Sequence, residues 1–209
     1  MKKTLLALIL IVPFLTSIAQ TDSKWSYGLV GGNYIYFFNN LDSSYGFENN
    51  RTKTSLNVGG YFEYQFARKF GVKTSLTYRS ASPDYHVNTR VQYFTGNVKI
   101  NFLDITPLIK YDCGSTYRKG FYMVFGPKIS FITKAEEDGE DVKDVFNSSS
   151  YGFQYGIGTR IAKVVDLEIK LDYEVEPFFD RGKGVETHTY GINALLYVDL
   201  QRIFFSKKP

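Results

Sequence analysis

The chain has 209 residues, with 25 Lys and Arg against 21 Asp and Glu and a formal net charge of +4. So small an excess of positive charge argues against a nucleic-acid partner. A single cysteine excludes an internal disulfide framework, and with only two histidines it leaves too few ligands for a structural zinc site. No cofactor is expected, and backbone pairing and side-chain packing must hold the fold.

At the N-terminus Lys2 and Lys3 precede an apolar run from Leu5 to Leu15, and Ser17-Ile18-Ala19 supplies the small residues that signal peptidase requires. This pattern predicts a secretory signal peptide over 1–19, with residues 20–209 as one mature domain. The run is too short for a helical span of about 20 residues, and Pro13 and the Thr16-Ser17 pair interrupt it. Gln20 and Thr21 stand where a lipoprotein needs cysteine. Loss of Lys2 and Lys3 lowers the formal net charge from +4 to +2.

Beyond residue 20 the chain is rich in Tyr (17) and Phe (18), and runs with helical spacing are missing, so the elements are strands. The first, 25–37, reads as a strand from its aromatics, but Gly28, Gly31 and Gly32 leave its register open. In 55–66, Leu56, Val58, Phe62, Tyr64 and Phe66 oppose Asn57, Gly59, Glu63 and Gln65. In 70–79, Phe70, Val72, Leu76 and Tyr78 oppose Gly71, Lys73, Ser75, Thr77 and Arg79. The fourth, 97–111, changes phase: Val98, Ile100 and Phe102 share one parity, while Leu103, Ile105, Ile109 and Tyr111 occupy the other. This predicts a bulge near Phe102 or Leu103. Pro107 and Pro127, in consecutive strands, each remove a ladder hydrogen bond and predict local irregularity.

The pattern continues in 121–132 and 151–161, where Phe125, Ile129, Phe153 and Ile157 oppose Gly126, Lys128, Gln154 and Arg160. In 166–178, Leu167, Ile169, Leu171, Tyr173 and Val175 alternate without a break with Glu168, Lys170, Asp172, Glu174 and Glu176. The last strand, 188–203, sets Tyr190, Ile192, Leu196 and Val198 against Gly191, Asn193, Tyr197 and Asp199. The connections 38–53, 81–96, 133–149 and 179–187 are long and polar, whereas 67–69, 112–119 and 162–165 are short.

Eight strands with this loop asymmetry predict an all-β fold, an eight-stranded antiparallel up-and-down transmembrane β-barrel in the bacterial outer membrane with both mature termini periplasmic. Alternation also fits a soluble lipocalin-like barrel with an apolar cavity. Three features favour the membrane: aromatics near strand ends on the apolar face, glycine on the polar face, and the loop asymmetry. Each Lys or Arg facing mid-bilayer lipid costs roughly 2–4 kcal/mol, so the charged face must be the interior. That interior set is Glu63, Lys73, Arg79, Lys99, Asp104, Lys110, Lys128, Arg160, Glu168, Lys170, Asp172 and Glu174. A bore of about eight strands has little room beyond side chains, so these residues should pair and fill it. The alternative is a narrow charged pore that selects ions.

Three segments resemble a known family: Tyr27-Gly28-Leu29-Val30-Gly31-Gly32-Asn33, Phe102-Leu103-Asp104-Ile105-Thr106-Pro107-Leu108-Ile109-Lys110-Tyr111, and Gly126-Pro127-Lys128-Ile129-Ser130. They look like the Bacteroidota outer-membrane β-barrel domain family, the PorT-like barrels, over essentially the whole mature chain. The resemblance rests on Gly, Pro and aromatic spacings and implies an OmpA-like eight-stranded barrel in which such prolines recur. Members mostly lack an assigned activity, although PorT itself belongs to a protein-secretion system.

Catalysis would depend on the loops. His86 and His188, with Asp84, Asp180 and Ser82 near them in sequence, could supply a general base at the outer rim, but two histidines in polar loops are ordinarily surface residues, so no enzyme is expected. The acidic run 136–141 lacks the spacing of an EF-hand loop and reads as a solvated loop, and Cys113 reads as a free thiol in a short turn. Two function classes stay open: a structural or interaction barrel displaying its loops, and a small-solute channel. The expected partners are outer-membrane lipid and envelope or secretion-complex proteins, with no specific small molecule.

Overall fold

The computed structural model describes residues 24–40, 45–47, 53–88, 93–115, 117–180 and 186–205. The expected signal peptide lies outside the described residues. Eight long strands form the body: β1 (Trp25–Asn40), β2 (Lys53–Gln65), β3 (Phe70–Ala81), β4 (Lys99–Asp112), β5 (Phe121–Glu137), β6 (Ser149–Ala162), β7 (Val165–Glu174) and β8 (Glu186–Asp199). Each pairs antiparallel with the next, and β8 pairs with β1 from Gly28↔Asp199 to Asn40↔Thr187, which closes the sheet into an up-and-down barrel. Closure removes the unpaired edge that an open sheet would present.

Burial alternates residue by residue. On β3, Gly71, Lys73, Ser75, Thr77 and Arg79 are buried, while Phe70, Val72, Leu76 and Tyr78 are exposed. The inner face is therefore the polar one. The outer face carries exposed Leu29, Leu56, Leu76, Phe125, Ile157 and Leu196 around the wall. Such a continuous apolar exterior calls for a nonaqueous surround. At the long-loop end Phe37, Tyr190, Tyr173 and Phe153 face one another across successive strands. At the short-turn end Trp25 lies against Tyr64 at 4.0 Å between ring centroids, and Phe70 against Tyr111 at 5.0 Å. These are the two aromatic girdles expected of a barrel that spans a bilayer. Among the described residues no helix is long and apolar enough to cross a membrane.

The register of β1, open in the sequence, is fixed by its partners: Ser26, Gly28, Val30, Tyr34, Tyr36 and Phe38 face inward. The predicted bulge lies at the expected height but in the neighbouring strand. Asn101 pairs with Lys134 and Phe102 with Ile132, so the extra residue is Thr133 of β5, and β4 keeps one parity from end to end. Pro107 and Pro127 fall opposite each other: pairing stops at Ile105↔Ile129 and resumes in the same register at Ile109↔Phe125. Two residues without N–H groups thus share one gap in the ladder.

The last strand ends at Asp199, four residues short of the expected 203, because a helix begins there. The Asp199 carboxylate accepts a hydrogen bond from the Arg202 backbone N–H at 3.0 Å, capping the helix Leu200–Phe205. Both ends of the described barrel lie beside the short turns at 66–69, 113–120 and 163–164. At the opposite end, Tyr45–Phe47, Asp84–Asn88 and Tyr93–Asn97 form a separate three-stranded sheet. Closure predicts a heat-modifiable band: an unboiled sample in denaturing detergent should run ahead of a boiled one, and equal mobility would contradict the closed barrel.

Candidate functional site

Among the described residues, charged groups converge in the barrel interior. Because side chains on a strand alternate, each inward position on eight adjacent strands projects into the same narrow bore. Seven cationic side chains (Lys73, Arg79, Lys110, Arg118, Lys128, Arg160 and Lys170) share it with eight carboxylates (Glu63, Asp104, Asp112, Asp166, Glu168, Asp172, Glu174 and Asp199). All are buried except Arg160, whose side chain is 10% exposed.

These groups form stacked layers. Nearest the short turns, Lys110 Nζ lies 3.3 Å from Glu63 Oε2 and 3.8 Å from Asp112 Oδ2. Arg118 reaches in from the turn, its Nε donating to Glu63 Oε1 at 2.8 Å and its Nη1 to the Trp25 carbonyl at 3.1 Å. On the other side of this end, Arg160 bonds Asp166 through Nε and Nη2, and Arg202 sits 3.5 Å from Asp199. Across the middle, Glu168 receives Lys73 Nζ at 2.7 Å, Tyr122 Oη at 3.0 Å and Tyr197 Oη at 2.9 Å. Lys170 lies 3.4 Å from Glu168, and Lys73 also sits over the Tyr197 ring, 3.2 Å from its centroid. Above them Asp172 accepts from Lys128 Nζ (2.8 Å), Tyr34 Oη (2.9 Å) and Asn193 Nδ2 (2.8 Å). Lys128 also reaches Glu174 at 3.3 Å, and Arg79 Nε donates to Asp104 at 3.0 Å. The void left among Tyr34, Asn57, Arg79, Lys128, Gln154 and Lys170 is about 10 Å³, room for at most one water.

Glycines make this density attainable. A Cβ on Gly158 would come within 2.3 Å of the Tyr122 ring, and one on Gly191 within 2.3 Å of the Tyr34 ring. Tyr122 and Tyr34, each of which donates to a network carboxylate, therefore lie across bare stretches of backbone.

The long-loop end is closed differently. Tyr34, Tyr36, Phe38, Ile100, Phe102 and Ile132 turn inward and meet Phe47, Phe178 and Phe179, which fold in from the loops. Phe47 packs 5.1 Å from both Phe38 and Phe178 and 5.7 Å from Phe179, and Asn40 holds the Phe47 backbone through its side-chain amide. Burying each phenylalanine contributes roughly 1.5–3 kcal/mol. The barrel is thus filled by a charged stack and capped by an apolar cluster.

Eleven of the twelve residues expected inside point into the bore: Glu63, Lys73, Arg79, Asp104, Lys110, Lys128, Arg160, Glu168, Lys170, Asp172 and Glu174. Lys99 does not. It is exposed on the outer side, because β4 carries no bulge and Ile100 and Phe102 take the inward positions in the apolar cap. Sequence reasoning missed Asp112, Arg118, Asp166 and Asp199. Arg118 lies in a turn with φ 61° and had no periodic signal, whereas Asp199 shared the polar parity of its strand and could have been included.

Elsewhere the candidate groups do not converge on one chemistry. His86 lies in the Asp84–Asn88 strand of the small sheet, whereas His188 lies on β8, its Nε2 3.8 Å from Glu186. The acidic run folds as a tight hairpin, Glu136↔Asp141 and Glu137↔Glu140, with positive φ at Asp138 and Gly139 as an Asp-Gly turn requires. Cys113 is exposed beside a short turn.

Removing one member of a buried ion pair leaves the other uncompensated and costs about 3–5 kcal/mol. Lys128→Met, which strands Asp172 and Glu174, should lower the urea unfolding midpoint in phospholipid vesicles steeply, while Lys99→Met should leave it in place. Equal shifts would contradict the enclosed network.

The family model for the outer membrane protein beta-barrel domain matches residues 18–180. Among solved structures, Neisserial surface protein A (NspA) shares 11% identity over 84% of this chain and 97% of that one, with a TM-score of 0.51. OprG from Pseudomonas aeruginosa shares 16% over 83% and 92%, at 0.46. Ail from Yersinia pestis shares 11% over 83% and 98%, at 0.46. No curated protein sequence matches this chain. At these identities the likeness to NspA speaks for fold alone. With the family model covering most of a closed eight-stranded barrel, the chain belongs to the outer membrane protein β-barrel domain family.

Proposed function

We propose that this protein is a structural, partner-binding barrel that works through its long-loop surface and not through its bore, with both mature termini in the periplasm. The observation that carries this reading is the filled interior: the pocket among Tyr34, Arg79, Lys128 and Lys170 holds only about 10 Å³ of void, and an apolar cap lies over the paired charges. An ion crossing here would have to part contacts such as Lys73–Glu168 at 2.7 Å and then pass buried Phe47 and Phe179. The long loops, by contrast, build a small sheet of their own with Tyr93–Asn97 at its edge, a shape suited to display. The proposal includes no catalytic role.

The finer reading is a PorT-like barrel associated with a protein-secretion assembly. It is supported by the motifs in Tyr27–Asn33, Phe102–Tyr111 and Gly126–Ser130, which fall in β1, β4 and β5.

Reconstituted into a planar bilayer, the protein should give no steady conductance; sustained ohmic current would overturn the filled-bore reading in favour of a channel. An epitope inserted at Gly139 should be labelled on intact cells and one at the C-terminus only after the outer membrane is opened; the reverse would overturn the orientation. Purification from native membranes after mild crosslinking should bring down stable envelope proteins, and recovery of the barrel alone would remove the secretion role.

A further inference from the structure

The short-turn end carries a second, differently built surface. Lys24, Arg68, Lys119 and Lys163 are exposed there, and Lys69 and Arg202 are half-buried beside them. The carboxylates at the same end, Glu63, Asp112, Asp166 and Asp199, are all buried in the interior network. Among the described residues, this rim therefore shows cationic groups to its surroundings and no carboxylate. The long-loop end differs, with Glu136, Asp138, Glu140, Asp141 and Asp144 at least partly exposed.

The basic rim is continuous with the apolar wall. The girdle residues Trp25, Tyr64, Phe66, Phe70 and Tyr111 lie immediately above it, and Lys69 Nζ sits 5.9 Å from the Tyr111 ring centroid. The helix Leu200–Phe205 adds both chemistries. Its Ile203, Phe204 and Phe205 are exposed, at 48%, 69% and 38%, while Arg202 ties it to the barrel through Asp199 and the Lys163 carbonyl at 3.3 Å. Exposed apolar groups beside cations, at the height where a bilayer passes from hydrocarbon to headgroups, match an anionic interface and not bulk water.

We infer that the short-turn rim is a contact surface for anionic phospholipid headgroups, with Lys24, Arg68, Lys69, Lys119 and Lys163 facing the phosphates and Ile203, Phe204 and Phe205 seated in the same interface. The inference rests on the membrane-spanning reading and adds to it a lipid preference at one end.

Trp25, the chain's single tryptophan, lies in this girdle and reports on it. The full-length protein is reconstituted into phosphatidylcholine vesicles containing a minority of lipid with brominated acyl chains, carried on either phosphatidylglycerol or phosphatidylcholine. At low salt the anionic lipid should quench Trp25 with an apparent affinity about threefold or more above the zwitterionic one, as expected for several basic groups near charged headgroups. Replacing Lys24, Arg68, Lys69, Lys119 and Lys163 by Gln should erase the preference, while heat-modifiable mobility shows the variant still folded. Equal quenching of the native protein by both lipids would overturn the inference and leave the membrane reading standing. Quenching by neither would overturn the membrane reading and the inference with it. A preference that survives the five substitutions would overturn the assignment to these residues.

Discussion

A charge enclosed where water cannot follow has to find its opposite within the enclosure, and the rest of this barrel is arranged around that requirement. Eight strands leave a bore that side chains alone can fill. Once its walls carry apolar groups outward toward lipid, the charged residues of the alternating pattern, Lys99 apart, are committed to the inside. An isolated ion there costs several kcal/mol even after relaxation. The network answers with near neutrality, seven cations to eight carboxylates, and, at Glu168 and Asp172, with hydrogen bonds to both carboxylate oxygens. Glu168 shows the arrangement: two lysines supply charge, and the hydroxyls of Tyr122 and Tyr197 occupy its other acceptor positions.

That requirement reaches into the backbone. Tyrosine is the residue that can stand in the bore, donate to a carboxylate and offer its ring to a lysine, but its volume has to be found somewhere. Gly158 opposite Tyr122 and Gly191 opposite Tyr34 supply it. Glycine weakens a strand in isolation. Here the loss is offset by the ring it admits and the carboxylate that ring reaches. The same crowding explains why Tyr117 and Arg118 turn inward: both fill the short-turn end, and Arg118 adds a closer bond to Glu63, 2.8 Å against the 3.3 Å of Lys110.

The sequence revealed the wall more fully than the ends. Period-two alternation in 70–79 and 166–178 placed Lys73, Arg79, Glu168, Lys170 and Asp172 on one face, and a membrane exterior decided which face was inside. The rule behind that deduction equates inward with polar. It fails where the interior itself becomes apolar, and Ile100 and Phe102 broke it in that way. Read as lipid-facing, they demanded a bulge in β4 and carried Lys99 to the wrong side. Their true partners, Phe47 and Phe178, come from loops with no periodicity to read, and the extra residue that marks the transition, Thr133, sits in the neighbouring strand. Arg118 escaped for a related reason, since a turn residue at φ 61° follows no alternation.

The two closures of the bore differ in what they can tolerate. A charged stack is held by pairs whose separation is costly in every direction, so it resists opening and fixes neighbouring strands relative to one another. An apolar cap made partly of loop residues is held by area, and it ties the conformation of the loops to the barrel beneath them. Phe47 illustrates this: it brings the Tyr45–Phe47 strand down onto Phe38, and that strand pairs in turn with Asp84–Asn88. The rigidity of the interior is thereby passed to the long-loop surface. A bore built for passage would need the opposite arrangement, with loosely paired charges, room for water and loops free to clear the mouth. On the proposed reading, the side chains of this barrel hold a shaped surface still, and its specificity would reside on that surface.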